Sequence, residues 1–99
     1  MDQYQNEVLT QAEAGIAKMD AAYTAADFPT KIKLKPERDK IYEAWAQARR
    51  KLLEGNVNLG ESDVAEMKAI GAEISKAAQG QQMVLAAAKL TVFLGKLAT

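Results

Sequence analysis

The chain has 99 residues, 48% hydrophobic and 26% charged, and its formal net charge is zero. This suits one globular domain with a modest core rather than a disordered chain. Cysteine and histidine are both absent, which excludes disulfides, thiol chemistry, the commonest metal ligand and the commonest general base.

Much of the apolar content is alanine, the best helix former but a poor contributor of buried area, so a helix-rich protein with a thin core is expected. Residues 1–10 lack the basic-then-apolar order of a signal peptide, and a cytoplasmic location is the expectation. Charge is uneven along the chain. Residues 1–28 hold Asp2, Glu7, Glu13, Asp20 and Asp27 against Lys18, while residues 29–60 hold eight bases against four acids. An acidic first helix lying beside a basic second one accounts for this asymmetry.

The first helix is predicted over residues 3–26. Asp2 caps it, with Gln5 in capping-box position. Tyr4, Val8, Ala12, Ile16, Met19, Tyr23 and Ala26 recur at spacings of three and four and make one apolar stripe. Asp27-Phe28-Pro29 stops it, because the residue before proline is pushed out of the helical region. Residues 30–35 alternate lysine with apolar side chains and read as an extended linker with Ile32 and Leu34 turned inward.

The second helix is predicted over residues 36–54, opened by Pro36 and ended by Gly55-Asn56. Its seam is Ile41, Trp45, Ala48 and Leu52, flanked by Tyr42 and Leu53, with Trp45 as a core anchor. The third helix is predicted over residues 62–97, capped by Ser62 or Gly60. Gly80 is the point where it would break into two. The heptad line Glu61, Lys68, Ser75, Gln82, Lys89 and Lys96 passes Gly80 without slipping, which favours one continuous helix. The fold class is therefore all-α: a three-helix bundle with a long C-terminal helix, or four helices if the chain breaks at Gly80.

The expected core seam of the long helix is Val64, Met67, Gly71, Ile74, Ala78, Gln81, Leu85, Ala88, Val92 and Gly95, whose small residues admit a close neighbour. From Met83 onward the other faces turn apolar as well. Met83, Ala87, Leu90, Phe93, Leu94 and Leu97 then form an outer face that two short helices can hardly cover. Large exposed apolar patches usually mark protein contacts, so these six residues are the candidate partner-binding surface, for a second copy or a different protein. In the competing arrangement the first helix covers this half and the second helix covers the other. A transmembrane span is disfavoured: the run is shorter than the ~20 residues a bilayer needs and contains Lys89. An interfacial membrane helix has only a thin basic face to offer.

No catalytic, cofactor-binding or metal-ligating motif occurs, and the acids Glu66, Glu73, Asp39 and Glu43 fall on outward phases. A non-enzymatic binding protein is the expectation. Adaptors, immunity-type inhibitors and phage-encoded accessory proteins offer a class analogy without residue-level support. The alternative is a nucleic-acid accessory that grips phosphates with Lys31, Lys33, Lys35, Arg38, Arg49, Arg50 and Lys51, next to Lys40 and Tyr42. The interleaved acids Glu37, Asp39, Glu43 and Glu54 weigh against that reading.

Overall fold

The computed structural model describes residues 2–55, 57–77 and 80–98. Four helices account for nearly all of them: α1 (Gln3–Ala25), α2 (Phe28–Glu54), α3 (Glu61–Lys76) and α4 (Gly80–Ala98). No strand occurs among the described residues. The protein is an all-α bundle, with the C-terminal half divided in two.

Helix α1 starts as its sequence dictates. The Asp2 carboxylate accepts the Gln5 amide at 2.8 Å, and Gln5 Oε1 accepts the Asp2 amide at 3.1 Å. This reciprocal pair satisfies donors that the first helical turn would otherwise leave open. Val8, Ala12, Ile16 and Met19 form the buried stripe, while Tyr4, expected on it, is exposed and Tyr23 and Ala26 are half-buried.

Helix α2 begins eight residues earlier than Pro36. The extended linker expected at residues 30–35 is helical, because the segment that ends α1 also starts its successor. Asp27 caps α2 by accepting the Thr30 amide at 2.9 Å, and the Thr30 hydroxyl and amide together hold its carboxyl below the usual 3.8. Pro29 sits in the first turn, where a missing N–H costs nothing. Pro36 then lies inside the helix and removes one backbone bond. Burial of Leu34 in line with Ile41, Ala48 and Leu52 offsets that loss. Helical phase also turns Ile32 outward, at 58% exposure, whereas the linker reading has it inward. Helix α2 closes on Gly55, whose φ of 74° is the left-handed stop expected there; Asn56 lies outside the described residues.

The continuous C-terminal helix is replaced by a hairpin. Gly60 caps α3, its amide donating to Asp63 Oδ2 at 2.9 Å. Ala77 then leaves helical geometry, at φ −68° and ψ 111°, and α4 resumes at Gly80. Glu73 bonds Lys89, and Glu66 bonds Lys96, which is possible only if α4 runs back along α3. The physical reason is coverage. A straight helix would leave its second half apolar on nearly every side, whereas folding back places that half against α2, α3 and part of α1. The polar heptad line is exposed on both helices, so it survives the turn. The expected seam does not. Val64, Met67, Gly71 and Ile74 are buried, but Gln81, Leu85 and Val92 are exposed and Ala88 and Gly95 only half-buried. Ala78 lies outside the described residues.

The two hairpins, α1–α2 and α3–α4, pack against each other. Helix α1 lies on α3 and α2 on α4, while α2 and α3 take opposite corners without contact among the described residues. This reverses the pairing of the competing arrangement, in which the first helix covers the last residues. Each cross-hairpin pair runs in the same direction. Gln5 reaches Val57 and Gly15 faces Met67 and Ile74 on one side; Thr30 meets Gly80 and Glu37 meets Thr91 on the other. Phe93, Met19, Leu34, Ile41, Leu52, Met67, Leu90 and Leu94 are the largest fully buried side chains. The molecule measures 40 × 22 × 16 Å.

Candidate protein-binding surface

The six residues expected on the outer face of the C-terminal helix lie inside. Met83, Ala87, Leu90, Phe93, Leu94 and Leu97 are all buried, with Ala87, Leu90 and Leu94 at 0% exposure. Their placement as an exposed surface is therefore corrected: they are the α4 contribution to the core, facing α2, α3 and α1. The difference has a definite origin: the expected seam continues that of α3 in phase through Gly80, whereas α3 and α4 are separate helices with different buried faces.

Excess apolar surface nevertheless remains on α4, rotated to its other side. Leu85, Ala88, Val92 and Gly95 follow spacings of three and four, which align them along one helix face. Leu85 is 59% and Val92 64% exposed. Helix α4 is therefore apolar towards the core and carries a second, narrow apolar stripe towards solvent, beside the exposed Gln81, Gln82, Lys89 and Lys96. On the α3 side, this outer stripe borders a shallow depression of about 470 Å³, lined by apolar residues that include Ile70, Leu85, Val92 and Phe93 and by the charged Glu66, Glu73 and Lys89. The ion pairs Lys89–Glu73, at 2.8 Å, and Lys96–Glu66, at 3.1 Å, cross the α3–α4 boundary along this flank. Glu66 and Glu73 thereby serve as lysine partners rather than as a carboxylate cluster.

The basic residues considered for phosphate binding do not all share one strip. Because the whole segment is one helix, 100° per residue puts Lys31, Lys35, Arg38 and Arg49 on one side and Lys33 and Lys51 well round from them, with Arg50 between. Several are engaged within the molecule. Lys35 bonds Asp39 at 2.9 Å, Lys40 approaches Glu37 at 3.7 Å and Arg50 approaches Glu54 at 3.8 Å. Arg38 donates to Asp20 Oδ1 at 3.0 Å and lies 5.0 Å from the Tyr23 ring and 5.2 Å from the Tyr42 ring. Lys31 stands 5.9 Å from the Tyr23 ring. The acidic first helix thus meets the basic second one through Asp20 and Arg38, while the ion pairs of Lys35, Lys40 and Arg50 lie within α2.

Tyr42 joins the same cluster by donating its hydroxyl to Asp20 Oδ2. That bond, then partial burial, holds the Tyr42 hydroxyl above its ordinary 10.0. The sequence offers Asp20, Arg38 and Tyr42 only as a charge asymmetry between segments, because their separations of 18 and 22 residues carry no local signal. Trp45 is partly buried and packs on the core, where it is an anchor rather than a free contact residue.

Compared with family models, with curated proteins and with solved structures, the chain finds no match in any of the three. No helix among the described residues is long and apolar enough to cross a membrane.

Proposed function

We propose that the chain is a non-enzymatic protein-binding module whose recognition surface is the outer stripe of α4, formed by Leu85, Ala88, Val92 and Gly95. One observation carries this reading: two large aliphatic side chains stand more than half exposed on a helix whose opposite face already fills the core. Isolated exposed hydrophobics are common, but here they line up along a helix face beside an apolar depression. Phe28 and Ile32 form another exposed pair, yet they span a single turn among lysines. The nucleic-acid alternative has less support, since Arg38, Lys35 and Arg50 already bond or approach carboxylates.

Site-specific photo-crosslinking in the producing cell tests the proposal. A photoreactive residue at position 85 or 92 is expected to capture protein, and one at the exposed position of Ala46 on α2 is not. Protein adducts absent from both 85 and 92 would remove the support for this surface.

A further inference from the structure

Resting on that reading, we infer that the occupant of the stripe is a second copy of this chain, its α4 laid antiparallel across the first about a two-fold axis level with Leu90. The order of side-chain sizes leads to this geometry. Along the stripe the residues run large, small, large, small: Leu85, Ala88, Val92, Gly95. Read backwards from a second copy, that order is its own complement. Turning the helix about the level of residue 90 sets Leu85 opposite Gly95 of the second copy and Ala88 opposite Val92 of the second copy. Each protruding side chain then meets a small one, at both ends of the contact and in one register. A parallel arrangement in register sets Leu85 against Leu85 and leaves Gly95 facing Gly95, which fills space badly.

The structure provides the room that this requires. A Cβ added at Gly95 would meet nothing within 4 Å, so the chain leaves room there for a small group of a neighbour. Charge is compatible as well. Lys89 and Lys96 flank the stripe, each bonded to an acid of α3, so the border presents both signs. In this register Lys89 falls opposite Thr91 of the second copy and Lys96 opposite Val84 of the second copy, so the α4 lysines do not meet one another. Closed two-fold dimers use the same patch on both partners, which is the property this stripe has. A stripe of this length gives an interface at the small end of the range, so association is expected to depend on concentration within an accessible range.

The test combines sedimentation velocity with disulfide trapping, since the chain has no cysteine to interfere. The unmodified protein is expected to move from one-chain to two-chain mass as its concentration rises. Gly95→Leu is expected to hold one-chain mass at the same concentrations, with helicity and thermal stability undiminished, because a Cβ at this position meets nothing within 4 Å in the monomer. A merely adhesive apolar surface would do the opposite and associate more strongly. Oxidation of an equimolar mixture of Ala88→Cys and Val92→Cys chains is expected to link one of each, while Ala88→Cys alone stays unlinked.

One-chain mass at every concentration overturns the inference, as does a disulfide between two Ala88→Cys chains, which reports parallel pairing. A Gly95→Leu protein that still dimerises overturns it too. Should the unmodified chain be monomeric while positions 85 and 92 crosslink to other proteins, the second copy is rejected and the protein-binding reading stands. If neither is seen, both fall.

Discussion

Gly80 lies so close to Thr30 that a Cβ at position 80 would come within 2.7 Å of the threonine hydroxyl oxygen and 3.0 Å of its methyl group. The start of α4 is thereby seated on the first turn of α2. Gly80→Ala is expected to destabilise the protein by about 1–3 kcal/mol through this overlap, even though alanine is the better helix former. Thr30→Ala in the same chain should return most of the loss. A double-mutant cycle by chemical denaturation measures the coupling, and strictly additive effects would show that the contact imposes no constraint.

The two faces of α4 should respond in opposite ways to truncation. Leu90 is at 0% exposure and Leu85 at 59%, although they are only five residues apart. Leu90→Ala is expected to cost about 2–5 kcal/mol, as for other fully buried leucines. Leu85→Ala, measured on dilute protein, should change stability by no more than about 0.5 kcal/mol. The reverse order would restore the straight-helix reading, in which Leu85 is core and Leu90 is surface.

Gln5 is the only buried polar side chain among the described residues, and it has two duties. Its Oε1 completes the α1 cap, and its Nε2 donates to the Val57 carbonyl oxygen at 2.6 Å, tying the α2–α3 connection to the start of α1. Gln5→Ala is expected to cost about 1–3 kcal/mol, since both partners lose a bond in a partly buried place. Gln5→Glu keeps the cap acceptor but sets a carboxylate against a carbonyl. It should therefore lose the Val57 tie, seen as faster amide exchange in residues 57–60, while the first turn of α1 stays protected.

The Asp20–Tyr42 bond makes a prediction for alkaline solution. Because the folded-state value of the Tyr42 hydroxyl is raised above 10.0, its contribution to stability is complete below pH 10.0 and disappears as pH rises through the raised value. Tyr42 is partly exposed, so the effect is expected to be small. Tyrosinate absorbance, compared between the unmodified chain and Tyr42→Phe, should reveal a step later than 10.0. In Tyr42→Phe the associated loss of stability on alkaline titration should be missing.

Local signals in the sequence were reliable where the physics is local. The Asp2–Gln5 cap, the stripe of α1 from Val8 to Met19 and the glycine stop at Gly55 all depend on neighbours within a few residues, and all three are present. Pro36 misled because proline is as acceptable in a first turn as it is costly further in, and only the Asp27–Thr30 cap reveals which case applies. The hairpin between α3 and α4 was illegible for a different reason. Its polar heptad line belongs to two outward faces that happen to stay in step, so exposure alone could not report the turn. Small residues were likewise ambiguous. Gly71 has open space where a Cβ would go, whereas Gly15 faces Met67 Cε at 3.3 Å from that position. Close approach depends on which helix arrives from elsewhere. The outer stripe of α4 was visible as a run of residues, but with its inner and outer sides exchanged.

The way the hairpins share their contacts also governs how the protein comes apart. Packing is heaviest between them, α2 on α4 and α1 on α3, and thinner within each. Neither hairpin alone covers its own apolar side, so the chain is expected to melt in a single transition without a one-hairpin intermediate, which coincident helicity and tryptophan-fluorescence melts would check. The connection across residues 55–60 is all that makes their docking intramolecular. Fragments cut there are expected to be unfolded alone and to regain structure on mixing at a rate set by their concentration rather than by the chain.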